Sequence, residues 1–568
     1  MHELFNRLKA KPFFFFELLT ATLFISILGL ASPLFVIQVL NRYITHGFSG
    51  TLITLTVGVL LATVLQFILR LIRTRIATTI SDEPDKELAG KVQAVLARGN
   101  FLALGALPKS SIHETIGGLQ VIQQAYNAAS ITAVLDAPFA LLFLIVLYLL
   151  SPLLSLVALI GIAAGIACGW LGLLSSKKSA QTQQTMQTAH RGLVMSATNN
   201  IETVRSFQGR NFLQGIWEKQ VDDMAVLLQR TANSQEFSQS LLLTLNITMS
   251  VLLYAVGAVL VVNGTLSAGV LIGANILGTR AFGAVTKSIQ VGYLLSKASL
   301  AHENLLTFFE LSMEPEQGTA LSAYQGGLQL HDLGYTYPNE ANPLFESLSL
   351  QLMPGSIAVV TGFNGSGKTT LVRLITALIM PSRGRVMADG IDLRQMDPAW
   401  WRQQTMYLPQ EPSFLNTTIR QNILLANPGL DETQLLDILE AVDLKNFLDR
   451  SPKGLETVII ENGANLPMGI RRRIAMARAL TTDGQLVVFD EPTTGLDIKG
   501  CQAVYRLLQE FLERKKTIIV VSRDPRVLKN AELLINLGKK PVPRITSPQD
   551  MKKKQALQLT PQLEHKTH

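Results

Sequence analysis

The sequence has few cysteines and few charged residues, and both shortages limit what the protein can be. Its two cysteines, Cys168 and Cys501, lie far apart and form no metal-ligand or disulfide pattern, so we expect ordinary reduced thiols. Only 16% of the 568 residues are charged, whereas 48% are hydrophobic. This composition is more apolar than that of a soluble enzyme and indicates a membrane portion.

The net charge of +8 is placed in a way that argues against a nucleic-acid partner. Basic residues cluster beside the apolar runs, as they do where positive charge on the cytoplasmic side orients membrane helices. We therefore expect membrane lipid, and no nucleic acid, as a partner. The clusters are Arg7, Lys9 and Lys11 before the first run, Arg70, Arg73 and Arg75 after the second, and Lys177 and Lys178 after the fourth.

Six apolar runs are long enough to cross a membrane, which takes roughly 20 residues. The sixth is the weakest because Arg280 and Lys287 interrupt it. The long, polar stretches 73–130 and 175–239 are flanked by basic residues, so we place them and both termini in the cytoplasm, as extensions of the membrane helices. The predicted spans are approximately 13–39, 51–72, 131–150, 152–174, 241–262 and 266–295.

The second half of the chain alternates short β-branched strands with helical stretches, which predicts an α/β domain with parallel strands. We assign residues 1–312 to the transmembrane domain, 313–326 to a linker and 327–538 to the α/β domain. Residues 539–568 contain prolines and lysines with few large apolar side chains, and are predicted to be a disordered tail.

A phosphate-binding loop follows the predicted strand 357–361. The pattern G-x-x-x-x-G-K-T between a strand and a helix lets backbone N–H groups converge on phosphate at a helix N-terminus. Lys368 is expected to reach the β- and γ-phosphates, and the Thr369 hydroxyl to bind Mg²⁺. The candidate ATP contacts are Gly362, Asn364, Gly365, Ser366, Gly367, Lys368, Thr369 and Thr370.

Two acidic residues end the apolar strand 486–489. Asp490 and Glu491 would be a poor choice at the end of a buried strand unless a cation or a reaction needed them. Asp490 is the candidate Mg²⁺ ligand, and Glu491 the candidate group that polarises the attacking water.

With these motifs in order, the second half resembles the nucleotide-binding domain of ABC transporters. The resemblance implies that Tyr337 stacks on adenine, that Gln410 contacts Mg²⁺ and water, and that Asp497 lies in the loop that crosses to a partner domain. Together with six spans, the whole chain resembles an ABC exporter half-transporter. This implies a dimer, formed with itself or with a paralogue.

The membrane half is similar to the bacterial type I secretion branch, whose third span begins with Leu-Asp-x-Pro. Asp136 and Pro138 occupy those positions, and Asp136 is either a helix cap or a cavity-lining carboxylate. The resemblance implies export of a polypeptide across the inner membrane with a periplasmic adaptor and an outer-membrane channel. Only about a dozen residues precede the first span, so we expect no N-terminal peptidase domain.

The segment 466–470 departs from the family, which has Leu-Ser-Gly-Gly-Gln at the start of a helix that contacts the γ-phosphate of the opposite subunit. Here only Leu466 and Gly469 remain, and Pro467 and Met468 remove a hydroxyl, an N–H group and bare backbone. Proline is tolerated in the first turn, so we expect the helix itself to form. One lost donor costs on the order of 2.7–4 kcal/mol in comparable anion sites.

Two further departures concern arginines. Arg523 stands where the family has a histidine on the γ-phosphate; it can donate hydrogen bonds to phosphate but cannot accept one or exchange a proton. Arg472 replaces a family glutamine, and we expect it on a solvated helix face.

The sequence therefore predicts ATP binding with slow hydrolysis. The leading hypothesis is an ATP-driven exporter subunit of the type I secretion kind. The alternatives are a non-hydrolytic scaffold or regulatory half of a heterodimer, and a lipid or small-molecule exporter.

Overall fold

The structure, a computed structural model, describes residues 2–546 except 46, 48 and 339. The chain divides into two compact units. One comprises the chain before Asn100 together with Ala103–Ser312, and the other comprises Asn100–Leu102 and the chain from Met313 onward.

The first part of the chain is helical. A π-helical turn at Val39–Ile44 separates the third helix from the fourth. The helices are α1 His2–Ala10, α2 Pro12–Gly29, α3 Ala31–Gln38, α4 Ser49–Arg98, α5 Phe101–Ala106, α6 Lys109–Ala125, α7 Ala128–Asp136, α8 Ala140–Leu150, α9 Pro152–Asn199, α10 Ile201–Ser206, α11 Arg210–Val262 and α12 Ala268–Phe309.

Six helical segments among the described residues are long and apolar enough to cross a membrane, as the sequence predicted. Several run on far beyond the membrane: α4, α9 and α11 contain 50, 48 and 53 residues. At 1.5 Å per residue such helices reach about 75 Å, against roughly 30 Å of hydrocarbon. The polar stretches continue these long helices only in part: 73–98 lies in α4, 175–199 in α9 and 210–239 in α11, whereas α5, α6 and α10 are separate helices. The spans are Pro12–Ile44, Gly50–Arg98, Ala128–Leu150, Pro152–Leu173, Arg210–Val262 and Ala268–Phe309.

Arg280, which weakens the sixth predicted span, has a backbone partner in the first one. Its guanidinium donates to the carbonyl oxygen of Gly29. In a continuous helix that oxygen would accept from the residue four positions on, but Pro33 has no N–H group. The arginine therefore satisfies a carbonyl that the proline leaves without its helical donor, and α12 stays unbroken around it.

Asp136 ends α7 instead of capping the start of a span. The third span begins at Ala128 and is interrupted at 137–139, around Pro138, before α8 resumes at Ala140. The Asp136 carboxylate accepts from Arg73 on α4 at 2.5 Å, and Arg73 is only 9% exposed. The helix-cap alternative is therefore wrong, because Asn127 caps α7 and Asp136 forms an ion pair between the second and third spans.

The second part of the chain combines strands and helices. The strands are β1 Leu328–Tyr335, β2 Phe345–Leu352, β3 Ile357–Thr361, β4 Arg383–Ala388, β5 Ile391–Asp392, β6 Thr405–Leu408, β7 Leu486–Asp490, β8 Thr517–Val521, β9 Leu533–Asn536 and β10 Arg544–Thr546. The helices are α13 Lys368–Ile375, α14 Pro398–Gln403, α15 Ile419–Ile423, α16 Glu432–Ala441, α17 Lys445–Arg450, α18 Met468–Leu480, α19 Ile498–Glu513 and α20 Pro525–Lys529.

Two sheets organise this unit. A six-stranded sheet has the order β10-β9-β3-β8-β7-β6, in which every pair is parallel except β10 with β9. An antiparallel sheet has the order β2-β1-β4-β5. The predicted parallel α/β domain is confirmed, and its strands β3, β7 and β8 are buried along nearly their whole length because the sheet is covered on both faces.

The disordered tail was predicted to begin at residue 539, and this boundary is too early in the chain. Residues 539–546 are ordered, since β10 pairs in register with β9 and Lys540 donates to the carbonyl of Leu344. Backbone pairing, which composition does not reveal, holds this segment. The remainder of the predicted tail, 547–568, lies outside the described residues.

In the predicted linker, 313–326, Tyr324 is 5% exposed and packs edge-to-face on Trp401.

Candidate functional site

Four loops meet at one edge of the six-stranded sheet. Because β3, β8, β7 and β6 are parallel neighbours, their carboxyl ends lie side by side, where ligands bind in open α/β sheets. β3 leads into the phosphate loop, β8 into Arg523, β7 into Glu491 and β6 into Gln410. The sheet thus collects residues that lie up to about 160 positions apart.

The phosphate loop has the shape that its glycines predict. Gly367 has φ +102°, and a Cβ atom there would lie 2.8 Å from Leu344 Cδ2, so only glycine fits before α13 begins. Lys368 Nζ donates to the carbonyl oxygens of Gly362 and Phe363, both at 3.2 Å. Its ammonium therefore lies over the loop, at the N-terminus of α13, where an anion would be stabilised.

The three predicted Mg²⁺ ligands meet at the Thr369 hydroxyl, which lies within hydrogen-bonding distance of the other two. Thr369 Oγ1 lies 2.8 Å from Asp490 Oδ2 and 3.2 Å from Gln410 Oε1. Asp490 is 1% exposed, and its Oδ1 atom is buried without a hydrogen-bond partner in the described part of the chain. A hydroxyl, an amide oxygen and a carboxylate with a spare buried oxygen are the donor set that Mg²⁺ prefers, so these residues fit the ion.

Glu491 follows Asp490 in a left-handed backbone conformation, with φ +51°. Its amide N–H donates to Val521 O at the end of β8, which anchors the turn. Its carboxylate oxygen Oε2 lies 3.4 Å from both Gln410 Nε2 and Thr494 Oγ1. A non-glycine residue held in this conformation beside a phosphate loop is typical of a functional position.

Arg523 reaches the same loop from β8. Its Nη2 atom donates to Gly362 O and to Asn364 Oδ1, each at 2.9 Å. The phosphate loop therefore carries a second cation beside Lys368. Lys368 begins the helix that follows β3 and its loop, and Arg523 follows β8, so the pairing of β3 with β8 brings these two cations to the same loop.

Tyr337, the candidate adenine contact, is placed by β1. Its hydroxyl lies 2.9 Å from Thr370 Oγ1 on α13, and its ring packs edge-to-face on Tyr335 with centroids 5.0 Å apart. The half-buried ring thus lies beside the helix that follows the phosphate loop.

The remaining predicted contacts form a separate group. Leu466 is 8% exposed and packs in the core, and Gly469 lies beside the carbonyl oxygen of Gly495. Asp497 caps α19 and accepts from Arg473 at 2.6 Å. Within the described residues none of the three hydrogen-bonds to the phosphate-loop group.

The altered segment does not prevent the helix from forming. Pro467 is the N-cap residue of α18, and Met468 is its first residue, 49% exposed. The predicted helix is confirmed, and it begins at Met468, directly after Pro467.

Arg472 contradicts its expected place on a solvated face. It is 1% exposed and donates from Nη1 to Glu491 O at 2.7 Å and from Nη2 to Gln410 O at 2.8 Å. The expectation failed because α18 is buried on nearly every side, so no face of this helix is free for a solvated cation. The sequence signal was that four arginines, Arg471, Arg472, Arg473 and Arg478, lie in a helix whose other residues are small or apolar.

Comparison with known families identifies the class of protein. Residues 345–494 match the family described as "ABC transporter", and residues 15–284 match "ABC transporter transmembrane region". The chain belongs to the ABC transporter family, and it has the exporter arrangement of a transmembrane domain followed by an ATP-binding domain.

Its similarity to individual proteins extends over most of the chain. It is 26% identical over 536 residues to the alpha-hemolysin translocation ATP-binding protein HlyB of Escherichia coli, covering 92% of this chain and 74% of the relative. The toxin RTX-I translocation ATP-binding protein of Actinobacillus pleuropneumoniae gives the same values. The leukotoxin export ATP-binding protein LtxB of Aggregatibacter actinomycetemcomitans is 27% identical over 539 residues, with 92% and 74% coverage.

A solved structure supports the fold. The chain superposes on a bacterial Atm1-family ABC exporter with ATP bound, with a TM-score of 0.84, 18% sequence identity and coverage of 98% of this chain and 99% of the other. The predicted exporter fold is confirmed.

The burial of Asp490 leads to a prediction about stability. Burial raises the pKa of its carboxyl group, and the hydrogen bond from Thr369 partly offsets this shift. A carboxyl group with a higher pKa in the folded protein destabilises the fold when ionised, and this loss disappears as the pH falls. We expect Asp490→Asn to stabilise the nucleotide-free protein at pH 7 by on the order of 1 kcal/mol.

Thermal unfolding of the detergent-solubilised protein measures this effect. The same variant should lose the extra stabilisation that MgATP gives over ATP with a chelator. Asp431→Asn is the control, because Asp431 is an exposed helix cap and asparagine caps equally well. A nucleotide-free Asp490→Asn protein that unfolds at a lower temperature than the wild type would contradict the prediction.

Proposed function

We propose that this chain is an ABC exporter subunit of the type I secretion kind, which lies in the inner membrane with both termini in the cytoplasm, binds ATP tightly and hydrolyses it slowly. The observation that carries the proposal is a contrast between two parts of the ATP-binding domain. The phosphate-loop group is complete and hydrogen-bonded, whereas the start of α18 presents Pro467 and Met468 where the family has phosphate donors.

A polypeptide cargo is supported by the relatives and by the third span. The similar proteins are named for translocation of alpha-hemolysin, RTX-I toxin and leukotoxin. Asp136, in the Leu-Asp-x-Pro segment, is bound to Arg73 at a break in that span. An ionisable residue within a membrane span is costly unless it serves a function, which fits a role of Asp136 beside the export path. A periplasmic adaptor and an outer-membrane channel complete this proposal.

The residues divide the chemistry of ATP between them. Lys368 and the loop amides bind the β- and γ-phosphates, and Tyr337 packs against the base. Thr369, Gln410 and Asp490 would hold Mg²⁺, which supplies positive charge against the phosphate oxygens. Glu491 orients and polarises the attacking water, with Gln410 hydrogen-bonded to its carboxylate.

Arg523 strengthens binding more than turnover in this scheme. Its guanidinium already donates to Gly362 and Asn364, within the phosphate loop. It therefore adds a phosphate donor. It cannot accept a hydrogen bond from water, as a neutral histidine does.

The two departures affect every possible dimer. In a homodimer, each composite site combines a complete phosphate loop with an altered α18 and with Arg523. In a heterodimer with an unaltered partner, one site lacks the signature donors and the other lacks the histidine. No arrangement leaves both sites unaltered, which supports slow hydrolysis in either case.

A second candidate function is a non-hydrolytic half of a heterodimer, in which ATP closes the dimer and the chain serves as a scaffold. Pro467 and Met468 at the start of α18 favour it.

We predict that ATP stabilises the purified chain in lipid nanodiscs while turnover stays at least tenfold below that of an unaltered exporter assayed beside it. At 100 times its Kd, ATP stabilises the folded state by about 2.7 kcal/mol. Thermal shift measures binding, phosphate release measures turnover, and affinity purification from the native host identifies a second ABC subunit. Turnover equal to that of the unaltered exporter would refute slow hydrolysis, and absence of any ATP-dependent stabilisation would refute the proposed function.

A further inference from the structure

Arg472 connects the two residues to which water activation is assigned. It lies in the second turn of α18, and its two terminal nitrogens donate to different loops: Nη1 to the carbonyl of Glu491, and Nη2 to the carbonyl of Gln410. Glu491 follows β7 and Gln410 follows β6, so one guanidinium joins the ends of two neighbouring strands. Both accepting groups are backbone atoms, so the contact fixes the loops and leaves both side chains free to act.

The environment of Arg472 shows that its charge is part of the site. Burial lowers the pKa of its guanidinium, and the negative charges of Glu491, Asp490 and Glu411 oppose this shift. A buried cation is stable only where it has partners, and here acidic groups and two carbonyl oxygens surround it. Its neighbour Arg473 binds Asp497 and the carbonyl of Asp443, so the start of α18 also holds the loop before α19.

We propose that Arg472 is a positioning residue, which holds the Gln410 loop and the Glu491 loop at a fixed spacing so that both side chains meet the attacking water. This inference rests on the proposed function of Gln410 and Glu491 in ATP hydrolysis. The fork of an arginine is suited to the task because its two terminal nitrogens reach two acceptors at once. A glutamine has a single nitrogen to donate, and a lysine donates from one point.

The proposal predicts a loss in the chemical step with little loss in binding. We expect Arg472→Met to lower kcat by about 10- to 100-fold, since misplacing catalytic groups by about 1 Å can cost 10²-fold, while KM for ATP changes less than about twofold. Arg472→Lys and Arg472→Gln should fall between this variant and the wild type. In the Glu491→Gln background, Arg472→Met should cause a much smaller further loss, because one of the two side chains that Arg472 positions no longer acts on water.

Arg471→Met is the matched control on the same helix. It removes one arginine charge next to Arg472, but its side chain lies against Gly463 instead of the two loops. We expect its kcat to stay within about twofold of the wild type, since no catalytic group depends on it. A purely structural role for Arg472 would lower the unfolding temperature and ATP affinity together with kcat.

Amide hydrogen exchange tests the contact independently of turnover. In the nucleotide-free, full-length protein, Arg472→Met should speed exchange in peptides covering 409–412 and 490–494, and leave α19 unchanged. If exchange in both loops equals that of the wild type, the inference is wrong whatever the ATPase rates are. If the wild type shows no turnover but the variant exchanges faster, the proposed hydrolysis fails while Arg472 still stands as the link between the loops.

Discussion

Restoring the start of α18 with Pro467→Ser, Met468→Gly and Ile470→Gln is expected to raise ATP turnover by about a hundredfold. A helix N-terminus leaves its first N–H groups without partners, and these are the groups that bind an anion. In this chain the N-cap is a proline, and an exposed methionine side chain stands over the first turn. A serine hydroxyl and bare glycine backbone would replace both, and one such donor is worth about 2.7–4 kcal/mol, or 10²–10³-fold.

Phosphate release by the purified variant in lipid measures this gain. Pro108→Ser is the matched control, because Pro108 is also a proline N-cap with similar backbone angles, at the start of α6 in the other unit. A serine there can add helix stability of about 1 kcal/mol, but it should not change turnover. If the triple variant folds, binds ATP and turns over at the wild-type rate, the altered segment does not limit hydrolysis. A separate Arg523→His variant then measures how much of the low turnover is due to the arginine at the position where the family has a histidine.

Glu491→Gln should abolish turnover while leaving ATP binding intact. General base catalysis contributes about 10²–10⁴-fold, and a glutamine amide keeps the shape of the side chain without its basicity. In the part of the chain that the structure describes, the carboxylate hydrogen-bonds to Gln410 and Thr494 and to no residue of the phosphate loop, so we expect the phosphate-binding groups to keep their places. We therefore expect unchanged stabilisation by MgATP and turnover lowered at least a hundredfold.

The same variant separates the two candidate functions in cells. If hydrolysis by this chain drives export, Glu491→Gln should stop release of the cargo, taken as a large polypeptide encoded beside the transporter genes. Glu510→Gln, on the exposed side of α19, is the control and should export at the wild-type level. Unchanged export by the Glu491→Gln variant would refute the hypothesis that hydrolysis by this chain drives export. It would favour the hypothesis that the chain is a non-hydrolytic scaffold.

Much of the candidate site could be predicted from sequence because its residues sit at fixed distances from the ends of strands. The glycines before Lys368 permit positive φ, and an apolar strand ending in Asp490 and Glu491 is visible without any coordinates. Parallel pairing then brings both to one edge of the sheet. The six spans were predictable for a related reason, since the thickness of a membrane fixes the length of an apolar run.

What the sequence could not reveal are the contacts made by charged side chains with distant backbone. Arg472 reads as one of three surface arginines, and only the packing of α18 against the rest of its unit shows that it is buried between two loops. Arg280 reads as an interruption of a span, and only the neighbouring helix supplies the carbonyl that Pro33 leaves without a donor. The contact between the side chains of Asp136 and Arg73, which lie 63 residues apart in the sequence, is also invisible in the sequence.

The sequence by itself therefore predicted the family, through the order of motifs that resemble it, and the number of membrane spans, through the lengths of the apolar runs. Only the tertiary structure decided where the buried cations act and that residues 539–546 join the sheet. These contacts depend on which surfaces meet when helices and strands pack, and a charged side chain carries no local signal of the backbone group that it will bind.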